Sequence, residues 1–101
     1  MYHKFNQENK DLILKLSAEE FSCTVDGILA VDRSNRPSHA RHVAMATMKA
    51  MLKCTLTEVA AVFGKHYTTV IHAKKRIDED AQLKNSALAV IRKFKEQLTE
   101  E

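Results

Sequence analysis

Only two glycines and one proline occur in 101 residues. Hairpin-rich β folds need many turn residues tolerant of positive φ, so this scarcity excludes them as the main architecture. Tryptophan is absent and aromatic residues make up 6% of the chain. The two cysteines, Cys23 and Cys54, are too few for a disulfide scaffold, and with no secretory signature they read as reduced thiols of a cytosolic protein. The apolar runs, such as residues 28–31, fall far short of the about eighteen residues that span a bilayer. Residues 1–10 are polar and lack the apolar core of a signal peptide. A soluble, cytoplasmic protein with no membrane partner is expected. The length allows one small domain and excludes multidomain enzymes and ATP-driven motors, since a chain of this size buries only roughly 60–65% of its unfolded surface.

What is abundant points to helices: Ala, Lys, Leu and Glu are the commonest residues, Met adds to these helix formers, and 45% of residues are hydrophobic. The formal charge is +3, from 16 basic and 13 acidic residues, but its distribution says more. Residues 33–76 hold nine bases (Arg33, Arg36, Arg41, Lys49, Lys53, Lys65, Lys74, Lys75 and Arg76) and one acid, Glu58, a net of +8. The remainder carries −5. Such segregation is the footprint expected for a polyanion, with acidic flanks that favour solubility.

Apolar spacing and caps divide the chain into about six helices, an all-α, compact bundle. Leu12, Ile13, Leu16 and Phe21 give one face to a helix over residues 6–22, although Ser17 and Glu20 also fit a capping box that would break it. Thr24 is an N-cap for a short helix over residues 25–30 that buries Val25, Ile28 and Leu29. Residues 32–38 collect turn formers and the only proline and read as an Arg-bearing loop. A third helix, residues 38–53, carries Met45, Met48 and Met51 as adaptable core filler. Thr55-Leu56-Thr57-Glu58 is a capping box that opens a brief helix ended by Gly64. A further helix starts near Tyr67 or Thr68 and runs through Val70, Ile71, Ala73 and Ile77. Two helices across a tight, Gly-containing turn suggest a helix-turn-helix. Leu83, Ala87, Val90 or Ile91, Phe94 and Leu98 mark an amphipathic C-terminal helix that packs on the same core.

The stretch Phe63-Gly64-Lys65-His66-Tyr67-Thr68-Thr69-Val70-Ile71-His72-Ala73 resembles the signature of the bacterial replication initiator DnaA family, in its C-terminal DNA-binding domain. Thr24-Val25-Asp26-Gly27-Ile28-Leu29, Arg41-His42-Val43-Ala44-Met45 and Thr55-Leu56-Thr57-Glu58-Val59 are similar to further blocks of that family, in the same order. With one residue deleted after Gly64, the resemblance covers residues 12–98, leaving residues 1–11 as a polar extension and residues 99–101 as an acidic tail. It implies a helix-turn-helix of the type shared with the Trp repressor, binding double-stranded DNA from both grooves. Arg33 falls on the family's basic-loop arginine, which enters the minor groove, where a guanidinium meets enhanced negative potential. Arg41 and Lys49 match basic positions near phosphates, and Lys65 adds charge in the turn. Thr68 and Thr69 match the paired threonines that open the recognition helix.

The departures are informative. Lys65-His66-Tyr67 stands where the family has Gly-Arg-Asp-His, so a donor-capable His66 replaces an acidic residue and Tyr67 a smaller histidine. The base read there should differ, and the basic loop is thinned to Val31-Asp32-Arg33-Ser34-Asn35. No Gly-rich Lys-Ser/Thr phosphate loop occurs, so the reading is the initiator's DNA reader standing alone from Met1, without the ATPase. It predicts a non-enzymatic regulator of replication or transcription acting by site occupancy, without cofactor, bacterial or phage-encoded and nucleoid-associated. No metal is expected, because His39 and His42, or His66 and His72, lack cysteine partners at ligand spacing. Replication proteins are the alternative partners, if the domain has degenerated into an interaction module that uses its acidic flanks and C-terminal helix. The sequence sets no oligomeric state.

Overall fold

Most of the helix ends foreseen from caps are where the side chains put them. The computed structural model describes residues 2–30 and 34–99, and among these there are six helices. Helix α1 spans Gln7–Glu20, with the Asn6 side chain accepting from the Asn9 amide at 2.8 Å. The helix runs unbroken through Ser17, which is wholly buried among Ile13, Leu14, Leu16 and Ala18, so the internal capping box does not form. An amphipathic face anchored on both sides of Ser17 outweighs one local side-chain bond.

Helix α2 is Val25–Leu29, with the Thr24 hydroxyl accepting from Gly27 N at 3.0 Å. Ile28 is fully buried, but Leu29 is exposed, contrary to expectation. A helix of five residues offers the core a single narrow face, and the residue one step on is turned 100° away. Helix α3, Asn35–Met51, starts three residues earlier than expected, because Pro37 lies in its first turn. Proline is harmless there: the first amides of a helix have no intrahelical acceptor in any case. Helices α4, Leu56–Val62, and α5, Tyr67–Glu79, follow, and α6 is Ala81–Thr99. The capping box at Thr55 is present in full, with Glu58 N donating to Thr55 Oγ1 at 3.1 Å and Thr55 N to Glu58 Oε1 at 2.9 Å.

Helix α3 lies at the centre and touches all five other helices. Val43, Ala44, Met45 and Met48 are completely buried, as the core-filler reading of the methionines requires. On α6, Leu83, Ala87, Val90 and Phe94 form the buried stripe, while Leu88 points outward. Near the N-terminus, His3 N donates to Met51 O and Lys53 N donates to His3 O, each at 2.8 Å. The His3 ring also meets Phe94 edge-on at 5.6 Å, so this strand-like segment joins the end of α3 to α6. No helix among the described residues is long and apolar enough to cross a membrane.

Two helices close with the same device. After α1, Ser22 adopts φ +53°, with Ser22 N bonded to Glu19 O and Cys23 N to Ala18 O. After α4, Gly64 adopts φ +63°, with Gly64 N bonded to Ala61 O and Lys65 N to Ala60 O. Both are Schellman closures, in which a left-handed residue lets two amides satisfy the last carbonyls. A Cβ at Gly64 would meet nothing within 4 Å, so its cost there is purely conformational. Gly64→Ala should therefore lower stability by about 1 kcal/mol, and Ser22→Gly should raise it by up to about 1 kcal/mol, both read by urea denaturation.

Candidate nucleic-acid interface

The turn between α4 and α5 fixes how α5 meets solvent. Val59, Ala60 and Phe63 are buried on the α4 side, and Val70, Ala73 and Ile77 on the α5 side. With these three inward at helical spacing, Thr68, Ile71, His72 and Lys75 come to the outer side of α5. Ile71 is 46% exposed because it sits 100° around from Val70. His66 is the N-cap of α5: its Nδ1 lies 3.0 Å from Thr68 Oγ1 and accepts from Thr68 N at 3.4 Å. The Tyr67 ring lies against the His66 ring, with centroids 4.4 Å apart. At the far end, Asp80 both closes α5 and caps α6, its Oδ1 accepting from Gln82 N and Leu83 N. One residue thus joins the two helices.

The anticipated site residues fall into three groups. Lys65, His66 and Tyr67 are exposed in and beside the turn, and Thr68 and Thr69 are half-buried in the first turn of α5. Lys49, half-buried near the end of α3, lines a groove of about 770 Å³ between α3, α5 and α6 that Lys74, Lys75, Ile71 and Leu88 also line. The fold therefore gathers Lys49 beside the recognition-helix lysines, a grouping that their separation in sequence conceals. Arg33 lies outside the described residues.

Arg41 departs from its expected place at a phosphate. It is only 9% exposed, and its guanidinium is turned inward onto the end of α2. Nε donates to Ile28 O at 2.7 Å, and Nη2 donates to Ala30 O at 2.9 Å and Gly27 O at 3.3 Å. The last carbonyls of a helix lack intrahelical donors, and a planar guanidinium can satisfy several of them from one position. Arg36, exposed in the first turn of α3, and His72, Lys75 and Arg76 on α5 were part of the sequence reading but not among its expected contact residues. The inward spacing of Val70, Ala73 and Ile77 was the signal that would have found the α5 residues.

Two titratable groups inside the scaffold are perturbed. Burial, reinforced by the positive charge of Arg76, His39 and Arg41, lowers His42 from 6.5 to about 4. Its Nδ1 finds no hydrogen-bond partner among the described residues. Burial, opposed by Lys49, raises the Cys54 thiol above its ordinary range, and its Sγ donates to Leu52 O at 3.4 Å. That is the environment of an inert thiol rather than a nucleophile.

Over residues 10–77 the chain matches the family described as bacterial dnaA protein helix-turn-helix. It is 35% identical over 77 residues to the chromosomal replication initiator protein DnaA 2 of Chlamydia muridarum, covering 72% of this chain and 17% of that protein. It is 35% identical over 69 residues to the chromosomal replication initiator protein DnaA of Aquifex aeolicus, covering 67% of this chain and 17% of the relative. The corresponding protein of Treponema denticola is 29% identical over 91 residues, covering 89% of this chain and 19% of the relative. The chain thus spans less than a fifth of the length of these relatives.

Arg41→Met should destabilise the fold by about 2–3 kcal/mol in chemical denaturation, because it leaves the α2 carbonyls without donors. His42 yields a pH dependence of definite sign. Its folded pKa lies below the unfolded value, so between pH 6.5 and about 4 the unfolded chain binds more protons. Its stabilising contribution is complete above that window and is lost as the pH falls through it. Thermal melting at pH 7 and pH 5 should show a drop in melting temperature that His42→Leu reduces.

Proposed function

The chain belongs to the bacterial DnaA helix-turn-helix family, and from that premise we propose that it is a sequence-preferring duplex DNA-binding protein that regulates replication or transcription by occupying its sites. The observation that carries this reading is the presentation of α5. Its inner face is held by Val70, Ala73 and Ile77, while its N-terminal turn offers Lys65, His66, Tyr67 and Thr68 to solvent. A recognition helix contacts base edges in the major groove through such N-terminal residues. Thr68 and Thr69 each bring a hydroxyl for a base and a methyl for thymine.

Lys49, Lys65, Lys75 and Arg36 supply phosphate contacts in this reading, with Arg33 entering the minor groove from the basic loop. Arg41 has a supporting part. By holding the carbonyl of Ala30 it anchors the chain immediately before that loop, while Arg36 lies just beyond it. The whole arrangement binds without chemistry, and no phosphate-loop motif occurs in the chain to couple it to nucleotide hydrolysis.

Neutralising about five phosphates makes log affinity fall with log salt at a slope of about −4.5. Fluorescence anisotropy with duplex DNA measures that slope. Lys49→Ala should weaken binding to all sequences alike and make the slope shallower by about 1. A slope near zero, or no binding at low salt, would overturn the DNA reading in favour of a protein-interaction module.

A further inference from the structure

The hydrogen bonds at the start of α5 favour one tautomer of His66. A backbone N–H can only donate, and the Thr68 amide points at His66 Nδ1 at 3.4 Å. Nδ1 is therefore the unprotonated nitrogen, and the hydrogen sits on Nε2. The shorter contact, 3.0 Å between Nδ1 and Thr68 Oγ1, is then a bond in which the hydroxyl donates to the ring. The Thr68 oxygen keeps only lone pairs for an outside partner. Tyr67, packed on the imidazole at 4.4 Å, restrains the plane of the ring. His66 is exposed, so its Nε2–H remains available beyond the helix end.

Position and polarity are thus both preset before any ligand arrives. We propose that His66 is a specificity-determining residue, a donor of fixed polarity that reads guanine through its N7 and O6 acceptors in the major groove. This rests on the duplex-DNA reading above. Guanine shows two adjacent acceptors on that edge, whereas cytosine shows only its N4 donor, which a second donor repels. The polarity comes from the cap: as long as Nδ1 accepts from Thr68, the outward nitrogen has nothing to offer but hydrogen.

The test exchanges polarity and keeps the cap. Asp is among the strongest N-cap residues but accepts only, so His66→Asp preserves the start of α5 while inverting what it shows to a base. Sequences bound by the full chain are selected from a random duplex library for wild type and for His66→Asp. The expected result is a flip at one position of the selected site, from guanine to cytosine on the same strand, by roughly tenfold or more in preference, with the other positions unchanged. Selection of the same base by both proteins, or of cytosine by the wild type, overturns the proposal. So does salt-dependent duplex binding without any preference at that position, which leaves the DNA-binding reading standing. Absence of duplex binding by the wild type at low salt overturns both. Nitrogen-15 NMR of the wild-type imidazole gives a readout without DNA: protonation at Nε2 and not Nδ1 is expected, and the reverse overturns the assignment.

Discussion

Contact of α3 with every other helix is the constraint from which the rest of the architecture follows. A helix in contact with five others leaves only a half-exposed stripe through His39, His42, Ala46 and Lys49, so polar residues off that stripe must lie near its ends or find partners inside. Arg36 and Lys49 take the first course, one in the opening turn and one near the last. Arg41, in the middle, takes the second. The carbonyls at the end of α2 are the partners it finds, and their satisfaction ties that short helix to the centre of the bundle. Thr47 and Ser17 show the same pressure on a smaller scale, being small enough to be enclosed between helices although their hydroxyls find no partner among the described residues.

The recognition helix inherits its setting from this core. Three small or branched residues, Val70, Ala73 and Ile77, fix its rotation, and the Gly64 closure and the Asp80 cap fix its two ends. Readout of base edges demands side chains held to within a fraction of a hydrogen-bond length, and a helix restrained at both ends and along one face meets that demand. His66 extends the restraint by one residue beyond the helix, since its Nδ1 caps α5 by accepting from Thr68 N.

Much of this was legible in the chain itself. Asn6 and Thr24 do not depend on their surroundings to cap, and the Thr55–Glu58 box is a reciprocal pair of local bonds, so α2 and α4 begin where residue type alone puts them. Failures came where long-range packing overrides local preference. Pro37 reads as a loop marker but sits in a first helical turn, and Ser17 reads as a cap but is buried within α1. Leu29 reads as buried by hydrophobicity but is exposed.

What the sequence by itself determined is the helical class, the helix-turn-helix with its turn glycine, the family resemblance, and the concentration of +8 between residues 33 and 76. These are properties of residue type and spacing, which the chain carries in every conformation. Tertiary structure alone decided that Arg41 serves the scaffold and that Lys49 lies beside Lys74 and Lys75. The physical reason is that charge and hydrogen-bond polarity become directional only when packing fixes where a side chain points. A guanidinium has the same donors wherever it sits, but only one that faces solvent can meet a phosphate.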